Sequence, residues 1–273
     1  TARTSVAFST RAETTTIRKP EEAAAMNAVH PHVVLSRTTP NPEQAIAAAA
    51  KLCYASNAEG LFDQDAADAA VFVKHLVRMG HMSPLEHASF TFYIEGISRA
   101  MTHQLVRHRL ASYSQRSQRY VNHDGFDYVV PSSLDGKVVH TAAGEVNARE
   151  YYDDTMRMIA ERYARLNDAL GRTGEESNQD ARYVLPNACE TKIFVTMNAR
   201  ELLHFFEERL CQRAQWEIRN VAEEMWKLVR DACPAVFDGA GPKCIRRGCC
   251  PEGKKTCGRY TEVKARYVTQ GFN

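Results

Sequence analysis

Arg107, His108 and Arg109 stand together in this chain, and Ser117 follows after seven intervening residues. The stretch runs on through Gln115, Arg116, Gln118, Arg119 and Tyr120, so guanidinium forks alternate with hydroxyls and amides. From Gly96 to His123 there is no Asp or Glu, yet five arginines (Arg99, Arg107, Arg109, Arg116, Arg119) and three histidines fall there. The whole chain has a formal net charge of only +2. Guanidinium groups with no carboxylate nearby in sequence need another anion, and phosphate accepts two parallel N–H bonds from one fork. A solvated basic helix face, or a nucleic-acid or other nucleotide-binding patch over Arg99–Arg119, would use the same charges. The interleaved Ser, Gln and Tyr offer directional hydrogen bonds, which favours a shaped pocket.

Three further segments carry polar groups at chemically useful spacing. Gly80-His81-Met-Ser83-Pro-Leu-Glu-His87 lies between two regular elements. On its own, such a segment is more often a hydrogen-bonded turn than a site. Ala181-Arg182-Tyr-Val-Leu-Pro186 is the second. The third runs from Thr196 through Asn198, Ala199, Arg200 and His204 to Arg209, Cys211 and Glu217. A helix starting at Asn198 places Asn198 and Arg200 where free N–H groups favour anions. Arg209, eleven residues after Asn198, returns to nearly the same face about three turns on. A plain ion pair of Arg209 with Glu207, Glu208 or Glu217 is the competing reading.

The elements that must hold these groups follow from periodicity. Asn41-Pro42 opens a helix to about Tyr54 as N-cap and first helical residue. A second helix runs from about Asp65 to Met79 and ends at Gly80. Phe90, Phe92 and Ile94 alternate with Thr91 and Tyr93, a strand pattern. Ile97, Met101 and Leu105 recur at helical spacing, with Gln104, Arg107 and His108 on another face. The stretch from Ser112 is expected to be loop, and Phe126–Pro131 a short strand. Tyr152 to Leu170 forms the strongest amphipathic pattern and stops at Gly171. Ile193–Met197 is a strand, and one helix is expected from Asn198 toward Ala232, with Pro234 beyond its end.

Together the four segments resemble the flavin-dependent thymidylate synthases, over roughly residues 29–237. The signature Arg-His-Arg, seven residues, Ser is met by Arg107, His108, Arg109 and Ser117, with the flanking blocks in order. The resemblance implies reductive methylation of dUMP to dTMP, with 5,10-methylene-tetrahydrofolate as carbon donor and FAD as hydride carrier reduced by NADPH. It implies dUMP contacts from Gln104, Arg107, Gln115, Arg116, Ser117, Gln118, Arg119, Arg182 and Arg209. Arg209 would be the catalytic residue, facing uracil. FAD contacts are implied at His81, Ser83, Arg107, His108, Arg109, Gln115, Asn198, Ala199, Arg200 and His204. Gln115 and His204 depart from members that carry Glu and Asn there, which leaves ligand geometry open. The implied fold is α/β (α+β): a curved, largely antiparallel sheet flanked by helices, in a homotetramer with sites at subunit interfaces. Neither a dinucleotide Gly-x-Gly-x-x-Gly nor a Walker loop is found, as expected where FAD lies between subunits. A nucleic-acid binder would not explain Arg182, Asn198 and Arg209 far from the basic window.

The chain has 273 residues, 44% hydrophobic and 25% charged, enough for a sizeable core and ordinary for a globular protein. Residues 1–28, poor in apolar side chains, read as a disordered extension, and 29–237 as one domain. No apolar run is long enough to span a bilayer, and no secretory pattern opens the chain. A cytoplasmic protein acting on dUMP, with neither nucleic-acid nor membrane partners, is the expectation. Eight cysteines do not make a small disulfide scaffold at this length. The Cys-, Gly- and Lys-rich tail, 238–273, is expected to be loops. Cys211, Cys244, Cys250 and Cys257 could hold a structural zinc, or remain free thiols or an oxidised pair.

Overall fold

A computed structural model describes residues 26–267. Its centre is a four-stranded antiparallel sheet in the order β2-β3-β8-β4, with β2 at His32–Thr38, β3 at Ser89–Ser98, β4 at Ala111–Gln115 and β8 at Glu190–Asn198. The alternation seen in sequence decides which face is covered. Phe90, Phe92 and Ile94 of β3, and Ile193, Val195 and Met197 of β8, are buried in one hydrophobic core. The opposite face carries Tyr93, a Thr91–Thr196 hydroxyl contact at 2.9 Å and a Lys192–Glu95 ion pair at 2.8 Å, and Phe194 remains 44% exposed.

Helices cover the apolar face. They are α1 (Pro42–Leu52), α2 (Ala66–Met79), α3 (Arg99–Leu105), α6 (Ala199–Arg209) and α7 (Trp216–Ala232). α7 places Ile218, Val221, Met225 and Val229 in the core. Each such side chain contributes about 1.5–3 kcal/mol on burial. A second, smaller core forms under α4 (Ala148–Ala169), where Met156 and Ala160 meet Phe126 and Tyr128. Beside it, β1 (Ala28–Val29) pairs in parallel with β5 (Tyr128–Val129). A hairpin of β6 (Val138–Thr141) and β7 (Gly144–Asn147) leads into α4, and α5 (Glu175–Ala181) follows it. No described helix is long and apolar enough to cross a membrane.

The β3–α3 junction positions the signature. The β2–β3 ladder ends at Glu95, next to Gly96, and the β3–β8 register shifts between Ile94 and Ile97. Gly96 sits at φ 67°, and a Cβ there would lie 2.0 Å from the His30 carbonyl oxygen. Only glycine fits this bulge. Two residues on, the Ser98 hydroxyl caps α3 by accepting the Met101 N–H at 3.0 Å. Ser98 is itself held by Glu217 of α7, which accepts its N–H at 2.7 Å and its hydroxyl at 2.6 Å. Arg107–Arg109 follow α3 directly.

Several expectations are corrected. The stretch from Ser112 is not loop: residues 111–115 are the edge strand β4, paired with β8. The helix expected from 198 to 232 is two, α6 and α7, because Gln215 caps a new start with its side-chain oxygen, accepting from Glu217 and Ile218 N–H at 3.1 Å. Asn41 is the N-cap residue and Pro42 the first helical residue, as expected, and the Asn41 carbonyl accepts the Ala45 N–H at 3.0 Å; at φ 47° its side chain makes no cap bond. The tail is packed: α8 (Pro234–Phe237), α9 (Lys243–Arg246) and α10 (Tyr260–Tyr267) place Phe237, Val263 and Tyr267 in the main core. Of the expected extension, residues 1–25 lie outside the described residues, and Ala28 is already in β1.

Candidate functional site

The basic window is acid-free in sequence, but acids reach it from other elements. Arg116, just past β4, pairs with Glu190 at 2.7 Å, and the Glu190 carboxylate, 7% exposed, also accepts the Gly96 N–H at 3.1 Å. Arg119 pairs with Glu175 of α5 and donates to the Tyr120 hydroxyl at 2.8 Å. These two guanidiniums are therefore partly neutralised, against the sequence expectation that all five lack partners. The Ser117 hydroxyl accepts the Arg119 N–H at 3.1 Å and so shapes the loop.

An arginine cluster nevertheless remains. Burial lowers the Arg99 guanidinium from its usual range; Cys189 opposes this, and the charges of Arg182 and Arg116 push it down further. Arg182 opens a short turn after α5, its Nε donating to the Gln179 carbonyl at 3.1 Å. The Arg116 Nε is buried with no partner among the described residues. Three converging cations suit an anion.

Two clefts share Arg107 and Arg109. The first, about 330 Å³, is lined by these and by Arg99, Thr102, His103, Val106 and Gln115. Gln115 is fixed there, donating to Thr102 and Thr191 hydroxyls at 3.1 and 3.2 Å. The second, about 380 Å³, adds His108, Leu110, Glu201, His204, Glu208 and Arg209 to the shared pair. Among the described residues neither Arg107 nor Arg109 has an ion-pair partner. Arg209 does not pair with the glutamates that sequence offered: Glu207 holds Arg246, Glu208 holds Lys243, and Glu217 holds Ser98. Instead its Nε donates to His108 Nε2 at 3.0 Å. Burial, then the charges of Arg209 and His204, push the His108 imidazole down to about 4, so it is neutral near pH 7.

Other expected residues lie elsewhere. His81 and Ser83 sit at the end of α2 and the start of the 83–87 turn, both exposed. This turn meets the start of α6, where the Ala199 N–H donates to the Ala88 carbonyl at 2.8 Å and Arg200 pairs with Glu86 at 2.5 Å. Asn198 spends its side chain capping α6, accepting the Glu201 N–H at 2.9 Å. Ala199 is fully buried, so its methyl cannot touch a ligand. The set expected for FAD thus lies along α6: Asn198 and Arg200 stand at its start, and His204, about 6 Å further on at 1.5 Å per residue, lines the second cleft with Arg107, His108 and Arg109. Gln104 and Gln118 line neither cleft. Thr102, His103 and Glu201 line the clefts but are indistinct in sequence, since a lone Thr, His or Glu on a helix carries no spacing signal.

Cys211, Cys244, Cys250 and Cys257 line one cavity of about 270 Å³ beside Arg209, and all four are free thiols. Among the described residues no group of three or more His, Cys, Asp or Glu is placed to hold a metal ion. The zinc expected at these four is therefore not supported: the thiols share a cavity without meeting at one point. Burial raises the Cys244 thiol, and the neighbouring thiols add to the shift.

Residues 34–235 match the family described as "Thymidylate synthase complementing protein". A flavin-dependent thymidylate synthase of Geobacter sulfurreducens is 52% identical over 236 residues, covering 85% of this chain and 96% of the relative. One from Clostridium tetani is 46% identical over 244 residues, covering 86% and 96%. A crystal structure of a UMP/dUMP methylase from Streptomyces cacaoi, bound with 5-Br dUMP, superposes with a TM-score of 0.64 at 25% identity, covering 78% of this chain and 95% of that one. With its arginine-walled clefts assembled at the β3–α3 junction and the end of α6, this chain belongs to the flavin-dependent thymidylate synthase family.

Proposed function

We propose that the protein is an FAD-dependent methyltransferase that converts dUMP to dTMP, with methylene-tetrahydrofolate as carbon donor and NADPH as reductant. The observation that carries this reading is the pair of clefts sharing Arg107 and Arg109, with the free fork of Arg209 at the rim of one. A phosphorylated pyrimidine and a flavin pyrophosphate both need such forks.

Arg99, Arg116 and Arg182, whose charges converge, suit the dUMP phosphate. Gln115, held by two threonine hydroxyls, keeps its amide oriented toward the same cleft. Arg209 faces the uracil ring, where a fixed cation stabilises negative charge developing at N3 and makes the ring easier to attack or reduce. Arg107, Arg109 and His204 hold FAD in the second cleft, with Ser83, Asn198 and Arg200 about one turn away at the start of α6. FAD, when bound, supplies the hydride that completes the methyl group. A second copy in a homotetramer would complete the site, as the resemblance to the family implies.

The deciding experiment is anaerobic: purified protein with NADPH, dUMP and methylene-tetrahydrofolate, assayed for dTMP with and without FAD. FAD-dependent dTMP is expected. Its absence from a folded, flavin-loaded tetramer would overturn the reading. Light scattering checks the tetramer.

A further inference from the structure

We infer that Glu201 is a positioning residue for the reaction: through His108 it fixes the orientation of Arg209. This rests on the reading that Arg209 faces uracil.

An arginine Nε–H can only donate. Arg209 donates it to His108 Nε2 at 3.0 Å, so that nitrogen is unprotonated. A neutral imidazole then carries its proton on Nδ1. Nδ1 faces the Glu201 carboxylate at 3.6 Å, and both side chains are 5% exposed. Glu201 has no other ion-pair or side-chain hydrogen-bond partner among the described residues. A carboxyl group buried without compensation is costly. Burial raises the Glu201 carboxyl, the His204 charge opposes this, and Glu201 lines the same cleft as His204 and Arg209.

The consequence lies in the fork. With Nε engaged, both terminal nitrogens of Arg209 lack a protein partner among the described residues. Flipping the imidazole tautomer would set an N–H against the Arg209 N–H, and the guanidinium would have to swing away. Glu201 disfavours that flip because Nδ1 without its proton would set a lone pair against the carboxylate. His108 packs edge-on to Phe205, with ring centroids 4.9 Å apart, which leaves the ring little freedom to find another arrangement.

The test measures dUMP affinity of the FAD-loaded protein by calorimetry. Glu201→Leu should weaken dUMP about tenfold, the scale of leaving one buried N–H facing an apolar side chain. Glu201→Gln, whose amide oxygen still faces the Nδ1–H, should stay within about twofold. In an Arg209→Ala background, Glu201→Leu should add nothing, because residues acting as one unit are non-additive. FAD content and melting temperature report folding, and Glu201→Asp, which withdraws the carboxylate by one methylene, serves if the leucine variant does not fold; it should lose affinity by several-fold. Unchanged affinity in both Glu201→Leu and Glu201→Asp, or a full additive loss on Arg209→Ala, overturns the proposal. If Arg209→Ala itself leaves dUMP binding unchanged, the uracil assignment falls and the relay falls with it. If Arg209→Ala weakens binding while the Glu201 variants do not, the relay alone is wrong.

Discussion

Arg107 forms part of the wall of both clefts, so one substitution withdraws a charged fork from two ligands. Arg107→Ala should weaken FAD and dUMP alike, each by about tenfold or more for a lost charge-assisted contact. Flavin content after gel filtration and a dUMP titration read the two effects; a change in only one ligand would detach Arg107 from the other cleft. A second expectation concerns His108 and His123. Both are driven down to about 4, first by burial, and the unfolded chain protonates nearer 6.5. Between these values the unfolded state binds more protons, so stability rises with pH there. The contribution is fully present above about 6.5 and is lost as pH falls toward 4, by at most about 3 kcal/mol per group. Melting temperature should therefore fall steadily from pH 7 to pH 5. His123→Gln, which removes one of the two groups, should make that fall shallower, and an unchanged slope would deny His123 its share. The signature arginines were legible one by one in sequence. Their partners were not, because Glu175, Glu190 and Glu201 reach the basic window only through tertiary packing.

At the scale of elements, the β3–α3 junction depends on one backbone conformation. Gly96→Ala adds a Cβ where the His30 carbonyl oxygen would be 2.0 Å away, at a positive φ that alanine disfavours. Backbone must shift, so a loss of stability of several kcal/mol is expected, on the scale of strain at a special backbone position. A melting curve checks it, and a wild-type midpoint would show that the bulge yields easily. Because the same bulge leads into α3 and the arginines beyond it, any folded protein should also bind FAD less tightly. Long periodic elements were readable: α2 ends at Gly80 with φ 75°, and α4 follows the apolar repeat to Ala169. The edge strand β4 was not. Ala111–Gln115 carries mostly small and polar side chains, and it is a strand because β8 offers it a ladder. The break between α6 and α7 contains neither Gly nor Pro, so no local breaker announced it. Glu217 reaching back to Ser98 and the Gln215 cap place the second helix instead.

Across the whole molecule, the tail closes over the core that α6 and α7 help to form. Tyr267 is 1% exposed and stacks edge-on to Trp226, with centroids 5.0 Å apart. Removing its ring by Tyr267→Ala should cost about 3–5 kcal/mol, the range for a large-to-small core change. Its hydroxyl is buried with no partner among the described residues. Tyr267→Phe should accordingly be neutral or stabilising, since it removes an unsatisfied polar group. Thermal melts of the two variants test this, and equal losses would mean that the hydroxyl is satisfied. Composition suggested loops for this region because Gly, Cys and Lys dominate it, but three apolar anchors suffice once a core exists to receive them. By itself the sequence determined the family, the antiparallel strands of alternating pattern, the long amphipathic helices and the cluster of arginine forks around the signature. These are encoded in residue type and short-range spacing, the information that periodicity and motifs carry. Tertiary structure alone decided which arginines are neutralised, that His108 is neutral and bonded to Arg209, that Glu201 stands behind it, and that four thiols share a cavity without converging. Each of these depends on distances between residues far apart in the chain, and such distances are set by how the sheet and helices pack.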